Sequence, residues 1–125
     1  MDAIVLYRIR RAHQSFDEAA LMCSCGHFNA AINRLYYACY YAATSLLAKN
    51  NVQIRSYNSV KSLLFTHFVS KGLLSSELGN SFVILQKNRH SGDYDDFVYC
   101  DKEMVDELTP KARDFIDAVK DLINQ

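Results

Sequence analysis

Residues 28–49 read FNAAINRLYYACYYAATSLLAK, and this stretch decides the fold. It holds no glycine, no proline and no acidic residue. As a helix it would be about 33 Å long at about 1.5 Å per residue, the width of a small domain. Its apolar and aromatic residues are spread all round the helical wheel, so other helices must surround it. Asn29, Asn33, Arg34 and Lys49 interrupt it too often for a membrane span, which needs about 20 mostly apolar residues. Tyr36, Tyr37, Tyr40 and Tyr41 add hydroxyls that need partners wherever they are buried. With Asn33 and Arg34 one turn back, they point to a polar site inside a helical bundle.

Upstream, residues 2–25 read as a first helix, with Val5, Ile9, Ala12, Phe16, Ala19 or Ala20, and Cys23 at three-four spacing. Arg8, Arg10, Arg11, Asp17 and Glu18 fall on its wet side. Gly26 stops that helix, His27 reads as loop, and Asn29 is placed to cap the central one. Downstream, Asn50-Asn51 ends the central helix, and a polar segment runs to about Tyr57, with Arg55 and Tyr57 expected at the surface. Asn58 or Ser59 caps a short helix to about Ser70, with Val60, Leu63, Leu64 and Phe68 inward. After Gly72, Ser75 or Ser76 caps a fourth helix whose stripe is Leu78, Phe82 and Leu85. One step further the same spacing reaches Arg89, where an apolar residue is expected. That helix should end near Tyr94, and residues 95–100 read as a loop. Asp101 caps a fifth helix with a stripe of Val105, Leu108, Ala112, Phe115 or Ile116, Val119, and Leu122 or Ile123. Pro110 predicts a kink in it, or a fresh start with Thr109 as cap. No strand pattern competes. The expected architecture is all-α, an up-and-down bundle of about five helices forming one domain over residues 1–125.

The chain has 125 residues and half of them are hydrophobic, enough for a packed core without disulfides. Its net charge is zero but unevenly spread. Residues 19–76 hold no acid and five bases, whereas residues 77–125 hold eleven acids and six bases. Such a chain either pairs its own helices or presents a basic surface to a polyanion. Cys23, Cys25, Cys39 and Cys100 form no CxxC, and no histidine stands at zinc-like spacing. They read as small hydrophobes in a reducing cytosol. The N-terminus has no basic-then-apolar leader, so a cytoplasmic location is expected.

No phosphate-cradling glycine loop, HExxH or GxSxG is present, and neither a metal nor a cofactor is expected. What remains is a constellation. Arg89 and Asp93 are four apart on one helix face, and Tyr94 follows. Arg34, Tyr37 and Tyr41 share a face of the central helix, with Asn33 beside them. These residues either form a ligand site or simply tie helix four to helix two, since a buried arginine needs carboxylate or hydroxyl partners.

FNAAINRLYYACYYAATSLL, followed some forty residues later by RHSGDYDD, resembles the HEPN superfamily. The signature residues are Asn33, Arg34, Tyr36, Tyr37 and Ala38, then Arg89, Asp93 and Tyr94; FVSKGLLSSE and ARDFIDAVKDLI also fit. The resemblance covers nearly the whole chain and implies a small stand-alone helical bundle, often a homodimer. It also implies a minimal nucleotidyltransferase as partner, in a toxin–antitoxin or stress module. Catalytic members of the family are metal-independent endoribonucleases with an arginine followed, after four to six residues, by a histidine. In some pairs the nucleotidyltransferase adenylylates a tyrosine just beyond it.

Here the corresponding positions hold Tyr94, Asp95 and Asp96, and His90 directly follows Arg89, about 100° away on a helix. Asp93 is a weak base unless burial raises its pKa. Seven acids between Asp93 and Glu107 would repel a phosphate backbone. The expectation is therefore a non-catalytic or weakly active protein that binds a nucleotide or RNA through Asn33, Arg34, Tyr37 and Arg89. By position, Tyr94 is the tyrosine open to modification. The first alternative is a homodimeric ribonuclease toxin, with Arg89 on the phosphate and Asp93 or His90 as base. The second is a purely structural interaction module.

Overall fold

The computed structural model describes residues 2–94 and 100–125, and within 90–94 the backbone alone. Five α-helices follow one another: α1 (Ala3–Ser24), α2 (Phe28–Lys49), α3 (Ser59–Leu64), α4 (Ser76–Tyr94) and α5 (Lys102–Ile123). Among the described residues there is no strand, and no helix is long and apolar enough to cross a membrane.

The expected caps hold for α4 and α5. The Ser75 hydroxyl accepts from the Leu78 amide at 3.1 Å, and the Asp101 carboxylate from the Met104 amide at 2.9 Å. The start of α2 differs from expectation. His27, not Asn29, is its first flanking residue, and the His27 side chain makes no capping bond. The reason lies in the turn before it. Gly26 takes φ +79°, and the His27 amide folds back to the Met22 carbonyl at 2.9 Å, which brings the chain into helix two residues early.

The third helix also departs from the pattern. It continues past Leu64 as one π-helical turn, Phe65–Val69, closed by the Ser70 amide on the Phe65 carbonyl at 2.9 Å. This wider turn presses Phe65 and Val69 onto α4 at Gly79. A Cβ there would lie 3.0 Å from both Phe65 Cζ and Val69 Cγ2. Pro110 causes no fresh start, and α5 runs through it unbroken. Pro110 and Asp106, one turn apart, both lie on the exposed side of α5. The Thr109 hydroxyl donates back to the Val105 carbonyl at 2.6 Å and caps nothing.

Helix α2 packs against α1, α3, α4 and α5, as its unstriped composition requires. Ile32, Leu35, Tyr36, Leu46 and Leu47 on it are fully or almost fully buried. Two serines fix α1 antiparallel to it: Ser15 donates to the Arg34 carbonyl and Ser45 to the Val5 carbonyl, each at 2.8 Å. On another side, Cys39 donates to the Ala112 carbonyl of α5 at 3.8 Å. Tyr36, Phe82 and Phe115 form an aromatic chain through the core, with ring centroids 5.7 and 5.6 Å apart. One stretch of α2 is left partly open, between α1 and α4, and it carries Asn33, Tyr37 and Tyr40, all half-buried.

Candidate functional site

Arg89 continues the Leu78–Phe82–Leu85 stripe of α4 and so reaches α2 instead of solvent. Its Nη2 donates to the Tyr37 hydroxyl at 2.8 Å. Its guanidinium carbon lies 5.3 Å from the Tyr37 ring centroid, 5.7 Å from that of Tyr36 and 6.0 Å from that of Tyr57. A planar cation can meet several ring faces and a hydroxyl together, which explains an arginine at a core-facing position.

Tyr57 comes from the loop before α3. Its hydroxyl donates to the Tyr36 hydroxyl at 2.9 Å, and its ring stacks on Tyr40 at 4.8 Å. The sequence placed Tyr57 simply at the surface, and nothing in its polar loop signals the return onto α2. Burial pushes the Tyr36 phenol up from its ordinary value, against the smaller opposing effects of the Tyr57 bond and the Arg89 charge. Tyr57 is raised as well, by burial first and then by its bonds to Tyr36 and Tyr37. Tyr40 is raised by burial, with the Arg8 charge opposing. All three phenols are therefore neutral near pH 7.

The other expected site residues separate. Asn33 lies one turn before Tyr37 on the same open side of α2. Arg34 turns instead to α1, where its Nε is 3.6 Å from the Glu18 carboxylate. Tyr41 also turns to α1, with the Arg11 guanidinium carbon 5.1 Å from its ring centroid and Arg11 Nη2 3.5 Å from its hydroxyl. The shared face of Arg34, Tyr37 and Tyr41 is thus divided between two neighbouring helices. His90, Asp93 and Tyr94 stand on the final turns of α4, and their side chains lie outside the described residues. No cluster of His, Cys, Asp or Glu among the described residues could hold a metal ion.

Arg8 and Arg11 complete the rim, on the α1 side. Arg8 Nη1 donates to the Thr44 carbonyl at 3.1 Å, and its charge reaches the Tyr40 phenol. The sequence put both arginines on the wet side of the first helix. Their three-residue spacing could have marked them as one patch, but not which part of α2 it overlooks.

Comparison with known proteins bears on this geometry. The model of the HEPN domain matches residues 5–122. A UPF0332 protein of Thermotoga maritima is 31% identical over 122 residues, covering 98% of this chain and 92% of that protein. A protein of Methanocaldococcus jannaschii described as a candidate toxin is 22% identical over 112 residues, 90% of this chain and 76% of its own. The crystal structure of an archaeal HEPN homologue superposes with a TM-score of 0.77 at 21% identity, covering 95% of this chain and 97% of that one. The bundle built around α2 is that of a small HEPN protein, and the chain belongs to the HEPN domain family.

Proposed function

We propose that this chain is a non-catalytic or weakly active HEPN protein that binds a nucleotide or RNA phosphate at Arg89. In this reading it serves as the small helical partner of a minimal nucleotidyltransferase in a toxin–antitoxin or stress module. The observation that carries it is the placement of Arg89. The guanidinium is held by the Tyr37 hydroxyl and three aromatic rings beside the open side of α2, so its direction is set before any ligand arrives. Pre-set guanidinium donors suit phosphate oxygens.

Cleavage through a 2′-hydroxyl needs a proton acceptor with a pKa near neutrality, and the positions five to seven beyond Arg89 hold no histidine. That favours binding over turnover. Tyr94 is the acceptor for modification by its position after Arg89. A homodimeric ribonuclease toxin, with Arg89 on the scissile phosphate and Asp93 or His90 as base, is the second reading. It is favoured by the likeness to the Methanocaldococcus jannaschii protein.

The test is incubation of the purified chain with total RNA, wild type beside Arg89→Ala, both shown folded by circular dichroism. RNA retained intact by wild type and released by Arg89→Ala is the expected result. Cleavage that disappears in Arg89→Ala would replace the binding reading by the ribonuclease. A folded wild type that neither retains nor cuts RNA would refute RNA binding and the ribonuclease; binding of labelled AMP that is lost in Arg89→Ala then leaves a nucleotide binder, and no AMP binding leaves a plain interaction module.

A further inference from the structure

We infer that the open side of α2 is a track for a short single strand of nucleic acid, with Arg8 and Arg11 of α1 as a second phosphate-binding arm and Tyr40 and Tyr57 as the platform for its bases. The inference rests on the reading of Arg89 as a phosphate anchor and extends it to residues some way along the helix. It starts from an unbroken run of rings. From Tyr37 the next centroid, Tyr40, is 6.2 Å away; from Tyr40, Tyr57 is 4.8 Å and Tyr41 6.1 Å away. Arg89 stands at one end of the run and Arg11 at the other. Tyr57 is 38% exposed, and Tyr40 and Tyr41 are half-buried, so the run is open to a ligand.

The basic charge on this side is not the one the sequence singles out. Arg34 is met by Glu18. Among the described residues no carboxylate lies within ion-pair distance of Arg8 or Arg11, whose guanidinium groups are held by the Thr44 carbonyl, Gln14 and Tyr41. Helix α5 meets another side of α2: Cys39, one residue before Tyr40 and so about 100° round the helix, donates to its Ala112 carbonyl.

Spacing favours a strand over a single nucleotide. Arg89 is fixed at Tyr37 and Arg8 at Thr44, seven residues apart on α2 or about 10 Å along its axis. That is about three steps of a stacked strand at roughly 3.4 Å each. A mononucleotide reaches one arm, whereas an oligonucleotide spans both. Tyrosine faces accept any base, so the track would be indifferent to sequence.

The experiment is fluorescence anisotropy with labelled octauridylate and octathymidylate between 50 and 200 mM salt, and with labelled AMP as the probe of Arg89 alone. Binding of either strand by wild type is expected, and the tighter of the two identifies RNA or DNA. Arg8→Gln/Arg11→Gln should lower the salt slope by about 1.4, at about 0.7 per phosphate contact on a single strand. Its affinity then falls about sevenfold less than that of wild type over this salt range, with AMP binding unchanged. Arg11→Glu, shown folded by circular dichroism, should weaken strand binding at least tenfold at 50 mM salt. Strand binding that survives both variants but is lost in Arg89→Ala would overturn the second arm and leave the Arg89 reading standing. No binding of either strand or AMP by wild type would overturn both. Equal binding of a labelled octaglutamate peptide would overturn the base platform and point to an acidic protein segment.

Discussion

Arg89→Ala should cost about 2.5 kcal/mol, and the cost should be shared with Tyr37. Between α4 and α2 the substitution removes the hydrogen bond from this charged donor to the Tyr37 hydroxyl, 2.8 Å long. Such bonds contribute about 1.5–3 kcal/mol, and a half-buried site takes the lower end, about 1.5. It also removes the cation from three rings, the nearest centroid at 5.3 Å, for about 1 kcal/mol. For a chain of this length each kcal/mol moves the midpoint by about 4 °C, so melting should fall by about 10 °C. Tyr37→Phe keeps the ring and removes only the hydroxyl, for about 6 °C. If that hydroxyl acts through Arg89, the double variant should melt close to Arg89→Ala alone, a coupling of about 1.5 kcal/mol. Thermal denaturation of all four proteins at pH 7, followed by circular dichroism, measures this cycle. Two shifts that simply add, or an Arg89→Ala shift below about 2 °C, would show that Arg89 does not tie α4 to α2. The expected loss leaves the variant folded at room temperature, where the RNA experiments are run.

Gly79→Ala should destabilise by about 1 kcal/mol, measured by urea denaturation. The gain of about 1 kcal/mol in helix propensity is outweighed by overpacking of about 2 against Phe65 and Val69, each 3.0 Å from the new methyl. The Tyr36 and Tyr57 phenols are raised above their unfolded value of about 10. The stability they contribute is therefore whole below about pH 10 and is lost as pH rises through their folded-state values. Tyrosinate absorbance should show part of the set of eight tyrosines titrating only on alkaline unfolding; ordinary titration of all eight would refute the cluster. Ser45→Ala removes a buried donor from the Val5 carbonyl and should cost about 1–2 kcal/mol in the same urea assay; a smaller loss would mean that the serine does not fix α1 on α2.

The helices were legible because their signals are local. Apolar spacing, Gly26, Ser75 and Asp101 each act within one turn, and the expected order of five helices is the order found. Two details were not legible, and each depends on a distant partner. The π turn at Phe65–Val69 is packed on Gly79 of α4. Tyr57 belongs to the site only because its loop returns to Tyr36.

The sequence by itself determined that α2 is the central helix, since an unstriped helix without acids, glycine or proline has to be covered by others. It also determined that Arg89 points inward, because the α4 stripe reaches it on a regular period. Only the tertiary structure decided which neighbour each polar residue of α2 meets. Arg34 and Tyr37 are about 60° apart on the wheel, close enough to read as one face. Yet α1 stands on one side of that interval and α4 on the other, so Arg34 goes to Glu18 and Tyr37 to Arg89. Periodicity gives the direction of a side chain from its own axis; what waits in that direction is set by the packing of helices far away in the chain.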